Sequence, residues 1–264
     1  MSKPLIPAQR RERIQEFLVA NKIARTADLC ALLDASEATV RRDLEWLEQE
    51  GLLERTHGGA ILSQHISLEA GYQQRALTFP DEKHGIGSLA ASLIEKDDVV
   101  FINSGTTTTE VIRQMRSDPS VSVFTNNLTA AFEVGEPGFQ YFVVGGEFQP
   151  RSNSLAGRFA VENLGQVFAN KAILGVDGIS IRYGCTVPSN AEAEIIRQMI
   201  KQTSGEIIIV ADHSKWGAVS NFQIAAIEQI NRLVTDPGLD PLAAEALTER
   251  GVQILIASPN VVST

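Results

Sequence analysis

From residue 81 onward, seven short apolar runs alternate with segments of helical period, and this alternation restricts the fold more than any other feature. The runs lie at 99–102, 121–124, 141–144, 172–176, 207–210, 233–234 and 252–256, with helix-like stretches at 82–94, 107–115, 128–134, 159–164, 191–201 and 241–250. Strands that are apolar throughout, rather than alternating apolar and polar, are covered on both faces. The expected body is therefore a mainly parallel α/β sheet.

Each run ends in a polar loop, and ligands of open α/β sheets sit outside the carboxyl ends of the strands. Ser104-Gly105-Thr106-Thr107-Thr108 follows the first run, Asn126-Asn127 the second and Gly145-Gly146 the third. Asp177 follows the fourth and Lys215 comes after the fifth, close to Asp212 and His213, while Glu192 opens a helix. Residues 104–108 have the chemistry of a phosphate cradle: glycine for a close turn, several hydroxyls, and a helix start whose amides and dipole favour an anion. A capping box between Thr107 and Glu110 would explain part of the same stretch without a ligand. Lys215 can supply a cation or take part in a surface ion pair. Asp177 reads as a hydroxyl acceptor or a turn residue, and Glu192 is favoured by the helix dipole whatever it binds. With neither a Walker lysine nor a Gly-x-Gly-x-x-Gly, nucleotide binding is disfavoured.

The first 62 residues have another character. A helical stripe of Ile14, Phe17 and Leu18 is followed by a short helix capped by Thr26 with Leu29, Leu32 and Leu33 inward. Only Asp34 and Ala35 separate that helix from the next, capped by Ser36. In this third helix Val40, Leu44 and Leu47 recur at i, i+4, i+7. Ala38 and Arg42 point away from that stripe, flanked by Thr39 and Arg41, a set of groups suited to a DNA major groove. An ordinary solvated helix would also carry such arginines. Gly51 closes the helix, and 52–62 reads as a hairpin carrying Arg55 and His57, which completes a winged helix-turn-helix.

Charge supports a division. Residues 1–62 hold 9 basic and 10 acidic side chains against 14 and 22 in the remainder, so −8 of the net charge of −9 sits outside the head. The head is near neutral with clustered arginines. The expected domains are 1–62, a linker over 63–80 and a body over 81–264, with Tyr72 and Leu77 of the linker packing on the body. Two cysteines, Cys30 and Cys185, and four scattered histidines give no metal spacing. No cofactor or metal is expected, and a reducing, cytoplasmic setting is. Without an apolar run of about 18 residues or a signal-peptide core, neither membrane insertion nor export is expected.

The stretch Thr39-Val40-Arg41-Arg42-Asp43-Leu44, followed by Gly51 to Ala60, resembles the N-terminal signature of the DeoR family of bacterial transcriptional regulators. In the body, Ser104-Gly105-Thr106-Thr107, Thr125-Asn126-Asn127, Gly145-Gly146, 174–180 and 211–217 resemble the sensor domain of the same family, whose fold is related to ribose-5-phosphate isomerase. The resemblance implies binding of double-stranded operator DNA, usually as a repressor, with Arg41 and Arg42 near DNA and Arg55 and His57 on the wing. It also implies a phosphorylated sugar or sugar-alcohol effector and a carbohydrate operon. A homo-oligomer, dimer or tetramer, is expected because one head buries too little surface for tight specificity. The rival reading is a sugar-phosphate isomerase with an accessory head. It is disfavoured because no lysine lies between Asp177 and Glu192 to stabilise an enediolate beside an acid-base carboxylate.

Overall fold

A computed structural model of the chain describes residues 5–21, 23–49, 53–56, 58–62, 64–65 and 71–258. Gly51, Leu52 and His57 lie outside the described residues.

The body is built on one seven-stranded sheet in which every neighbouring pair is parallel. Its order is Gln253–Ile256, Arg232–Thr235, Thr203–Val210, Ala169–Gly175, Val99–Ile102, Ser122–Thr125, Gln140–Val143. From Val99–Ile102 the chain winds outward through the next two strands in one direction. It then returns to Ala169–Gly175 and winds outward in the other, so the topological switch lies between these two adjacent strands.

Successive strand residues face opposite sides, which splits the apolar runs between two cores. Phe101, Leu174 and Ile209 pack under the helices Arg158–Leu164, Asn190–Lys201 and Pro241–Thr248. Val100, Ile102, Ile173, Ile208 and Val210 pack under Pro80–Ala91 and Thr106–Gln114. Each such buried side chain contributes about 1.5–3 kcal/mol.

Beyond the main sheet, Gly178–Ser180, Gly184–Val187 and Phe222–Ala225 form a small antiparallel sheet. Cys185 lies in its central strand, fully buried, and burial pushes its thiol pKa up to about 12. The strand Ala218–Val219 pairs in parallel with Gln64–His65, which leads away from the head.

In the head, helices Pro7–Asn21, Thr26–Leu33 and Glu37–Gln49 enclose Ile14, Leu18, Leu29, Leu33, Val40, Leu44 and Leu47. Strands Leu53–Thr56 and Gly59–Leu62 pair antiparallel, and Ile23–Arg25 adds a third strand. Two local expectations do not hold. Thr26 is the first helical residue rather than the cap, which is Arg25, and Leu32 is 40% exposed because the three-helix core is closed by Leu29 and Leu33.

The segment expected as a linker carries a helix, Tyr72–Ala76, held to the body. Tyr72 N donates to Arg151 O at 2.9 Å, and its hydroxyl lies 2.8 Å from Thr109 Oγ1. Leu77 is 83% exposed and does not pack there.

Candidate functional site

The crevice at the sheet switch opens into a cavity of about 220 Å³. Ser104, Gly105, Thr106, Thr107, Asn126, Asp177, Glu192 and Lys215 all line it. The loops that follow two adjacent parallel strands, Val99–Ile102 and Ala169–Gly175, necessarily meet there.

The first of these loops is fixed by side-chain amides. Asn103 spans the switch, donating from Nδ2 to Gly175 O at 3.0 Å and accepting from Gly175 N at 2.7 Å. Asn126 Oδ1 accepts from Ser104 N at 2.8 Å, while its Nδ2 donates to Leu155 O at 3.0 Å. The helix Thr106–Gln114 then begins at Gly105 with no side chain capping it. The capping box is not made, since Glu110 instead meets Arg113 and, at 3.4 Å, His84. The start of this helix, Gly105 to Thr107, therefore lines the cavity without a side-chain cap.

The other expected residues have structural employment. Thr108 is fully buried, and both it and Thr109 turn their hydroxyls back to Gly105 O, at 3.1 and 2.8 Å. Asn127 is buried, caps Ala130 N at 3.1 Å and donates to Thr109 Oγ1 at 2.9 Å. Gly145 and Gly146 do not line the cavity. A Cβ on Gly146 would lie 2.5 Å from Ala156 O, so close backbone packing explains that glycine.

Two cations absent from the sequence-based set complete the lining, and both lie where a linker was expected or just after it. Arg75 Nη1 donates to Asp177 Oδ1 at 3.0 Å, and Lys215 Nζ lies 4.0 Å from the same oxygen. Lys83, 5% exposed, donates to Arg75 O at 3.0 Å and to Thr78 O, with Asp212 Oδ2 at 3.8 Å. Burial pulls the Lys83 pKa below the ordinary lysine value, and Asp212 opposes that shift. Asp212 also accepts from Ser214 N at 3.0 Å, which holds the turn His213–Lys215.

The cavity thus combines three cations and an uncapped helix start with three carboxylates, Asp177, Glu192 and Asp212. A bare-anion site has no use for the carboxylates, which repel anions and accept hydroxyl protons. An anion carrying hydroxyl groups uses both sets. No group of three or more His, Cys, Asp or Glu residues suited to a metal ion is found among the described residues.

On the head, Ser36 Oγ lies 2.9 Å from Thr39 Oγ1 at the start of the Glu37–Gln49 helix. Ala38 and Arg42 are exposed, and Arg41 pairs with Glu37 at 2.6 Å. Arg55 meets Glu45 at 3.0 Å. Asp43 is buried and takes Arg10 at 2.7 Å and Arg11 at 3.1 Å, so two of the three N-terminal arginines hold helix to helix. Arg41, Arg55 and Thr56 share a second cavity of about 360 Å³ with Glu249 and Arg250 of the body. No helix among the described residues is long and apolar enough to cross a membrane.

Comparison with known proteins covers both regions. A family described as the DeoR-like helix-turn-helix domain matches residues 10–65, and one described as the DeoR C terminal sensor domain matches 78–237. The transcriptional regulator GlpR of Haloferax volcanii is 32% identical over 95% of this chain and 98% of its own. The transcriptional repressor GlcR of Bacillus subtilis is 33% identical over 92% of this chain and 93% of its own. Ribose 5-phosphate isomerase A of Methanocaldococcus jannaschii, 13% identical, overlays 52% of this chain and 54% of its own with a TM-score of 0.38.

Proposed function

The chain belongs to the DeoR family of DNA-binding transcriptional regulators, whose members are not enzymes, and from that premise we propose that it represses a carbohydrate-metabolism operon until a phosphorylated sugar binds the cavity. The observation that carries this reading is the pairing, in one cavity at the sheet switch, of an uncapped helix start and three cations with three carboxylates.

In this reading the phosphate rests on the amides of Gly105 to Thr107 with Arg75, Lys83 and Lys215 around it. Asp177, Glu192 and Asn126 receive the sugar hydroxyls. Ser36, Ala38, Thr39, Arg41 and Arg42 face operator DNA, with Arg55 and His57 on the wing. The protein acts in the cytoplasm as a homo-oligomer, because a single reading helix buries less surface than specific operator binding requires.

The effector releases DNA only to the extent that it binds the released state more tightly than the bound one. The test is a thermal-shift screen of the full chain against sugar phosphates, followed by operator release. A ligand present at about 100 times its Kd stabilises by about 2.7 kcal/mol. Thr107→Val should weaken that ligand while leaving the unliganded melting temperature in place, since Thr107 caps nothing. If no sugar phosphate stabilises the protein or releases it from DNA, the reading fails.

A further inference from the structure

We propose that Ser220 is a further residue through which the cavity recognises a sugar hydroxyl; the inference rests on the sugar-phosphate reading above and adds a group to it. Among the described residues, five buried side-chain polar atoms have no hydrogen-bond partner. Two of them, Arg75 Nε and Ser220 Oγ, belong to residues lining this cavity. Arg75 is a cation suited to the anionic end of a ligand. Ser220 is neutral and 5% exposed, so its hydroxyl gains little from solvent.

The neighbouring groups explain why the protein leaves that hydroxyl unmatched. Ser220 N donates to Thr186 Oγ1 at 2.9 Å, and Thr186 Oγ1 donates in turn to Gly178 O at 3.4 Å. Thr186 therefore has its donor and an acceptor site already committed. The backbone cannot shift to find another partner. A Cβ on Gly178 would lie 2.3 Å from Ala218 O, and Ala218–Val219, which precedes Ser220, is itself paired to Gln64–His65.

A buried hydroxyl without a partner is unfavourable, and in a residue that lines a cavity it is satisfied when it turns to a ligand that supplies the missing group. Val187, at the end of the same strand, and Pro188 just after it line the cavity and bring no charge. The group that meets Ser220 is accordingly a neutral hydroxyl, able to donate and accept as serine does, rather than a phosphate oxygen drawn to the cations.

The experiment compares the full-length parent with Ser220→Ala by melting temperature and by calorimetric titration. The probes are ribose 5-phosphate, glucose 6-phosphate, fructose 6-phosphate, glycerol 3-phosphate and inorganic phosphate. The expected result is an unliganded melting temperature equal to or above that of the parent, because an unmatched polar group has been removed. Affinity for the tightest sugar phosphate should fall about tenfold, with the inorganic phosphate response unchanged. Unchanged sugar-phosphate affinity in Ser220→Ala overturns this inference alone, and so does a lowered melting temperature without loss of affinity. If the parent responds to none of the sugar phosphates, the functional reading falls and this inference falls with it.

Discussion

Arg75 and Asp177, 102 positions apart in sequence, are joined by a 3.0 Å hydrogen bond at the mouth of the switch crevice. Lys215 stands 4.0 Å from the same carboxylate oxygen. One carboxylate thus orders two cations from distant segments before any ligand arrives. Arg75→Met should weaken phosphate-ester binding about tenfold or more, as expected when a charge-assisted bond is lost. Combined with Asp177→Asn, the losses should be non-additive by about 0.5–3 kcal/mol in a titration cycle. Strict additivity would separate the two residues.

Lys83 predicts a pH dependence. Because burial lowers its pKa in the folded chain, the unfolded chain holds more protons between that lowered value and the ordinary 10.5. Stability from this group therefore rises as pH rises through that window. A bound phosphate favours the ammonium, so binding takes up protons there and affinity falls as pH rises. Calorimetry in buffers of different ionisation enthalpy measures that uptake, and Lys83→Met should abolish it. Uptake that persists in the variant would assign the proton elsewhere.

Asp43 holds Arg10 and Arg11 from inside the head. Asp43→Ala should destabilise the head by about 1–3 kcal/mol and reduce operator binding through unfolding rather than lost contact. Protease resistance of residues 5–62 reports the first effect. An unaltered digestion profile with lost DNA binding would instead make Asp43 a DNA-facing group.

Arg42 is exposed on the outer face of the Glu37–Gln49 helix, whereas Arg41 is paired with Glu37. Arg42→Ala should lower affinity for the operator by about 1–3 kcal/mol relative to scrambled DNA. Arg41→Ala should weaken both DNAs alike and reduce the salt slope by about 1. Fluorescence anisotropy over a salt series distinguishes them. An equal loss on both DNAs for Arg42→Ala would make it a phosphate contact.

The parallel sheet was legible because its seven strands are apolar on both faces, and Val100 beside Phe101 serves two cores at once. The loop from Ser104 to Thr107 was legible because a strand end, a glycine and a helix start coincide there. Arg75 and Lys83 were not, since they precede the first apolar run of the body instead of following one, and nothing in local period reveals a contact 102 residues away. Gly145 and Gly146 misled for the opposite reason: a glycine pair after a strand looks the same whether it faces a ligand or, like Gly146, the backbone of Ala156. Ser220 carries no local signal at all, because the unmatched state of its buried hydroxyl follows from how distant segments pack around it.

Arg75, Thr78 and Lys83 belong to the chain between the reading head and the sheet, yet they form one wall of the cavity. The unit that folds as a sheet and the unit that recognises a small molecule therefore have different boundaries. A fragment beginning at Asp81 would retain all seven strands while lacking two of those three groups. Its ligand preferences would differ from those of the intact protein. Chimeras that exchange heads between relatives face the same constraint: a junction placed before Gly71 keeps this wall with its own pocket, and one placed at Pro80 grafts one protein's residues at positions 75 and 78 onto another's pocket.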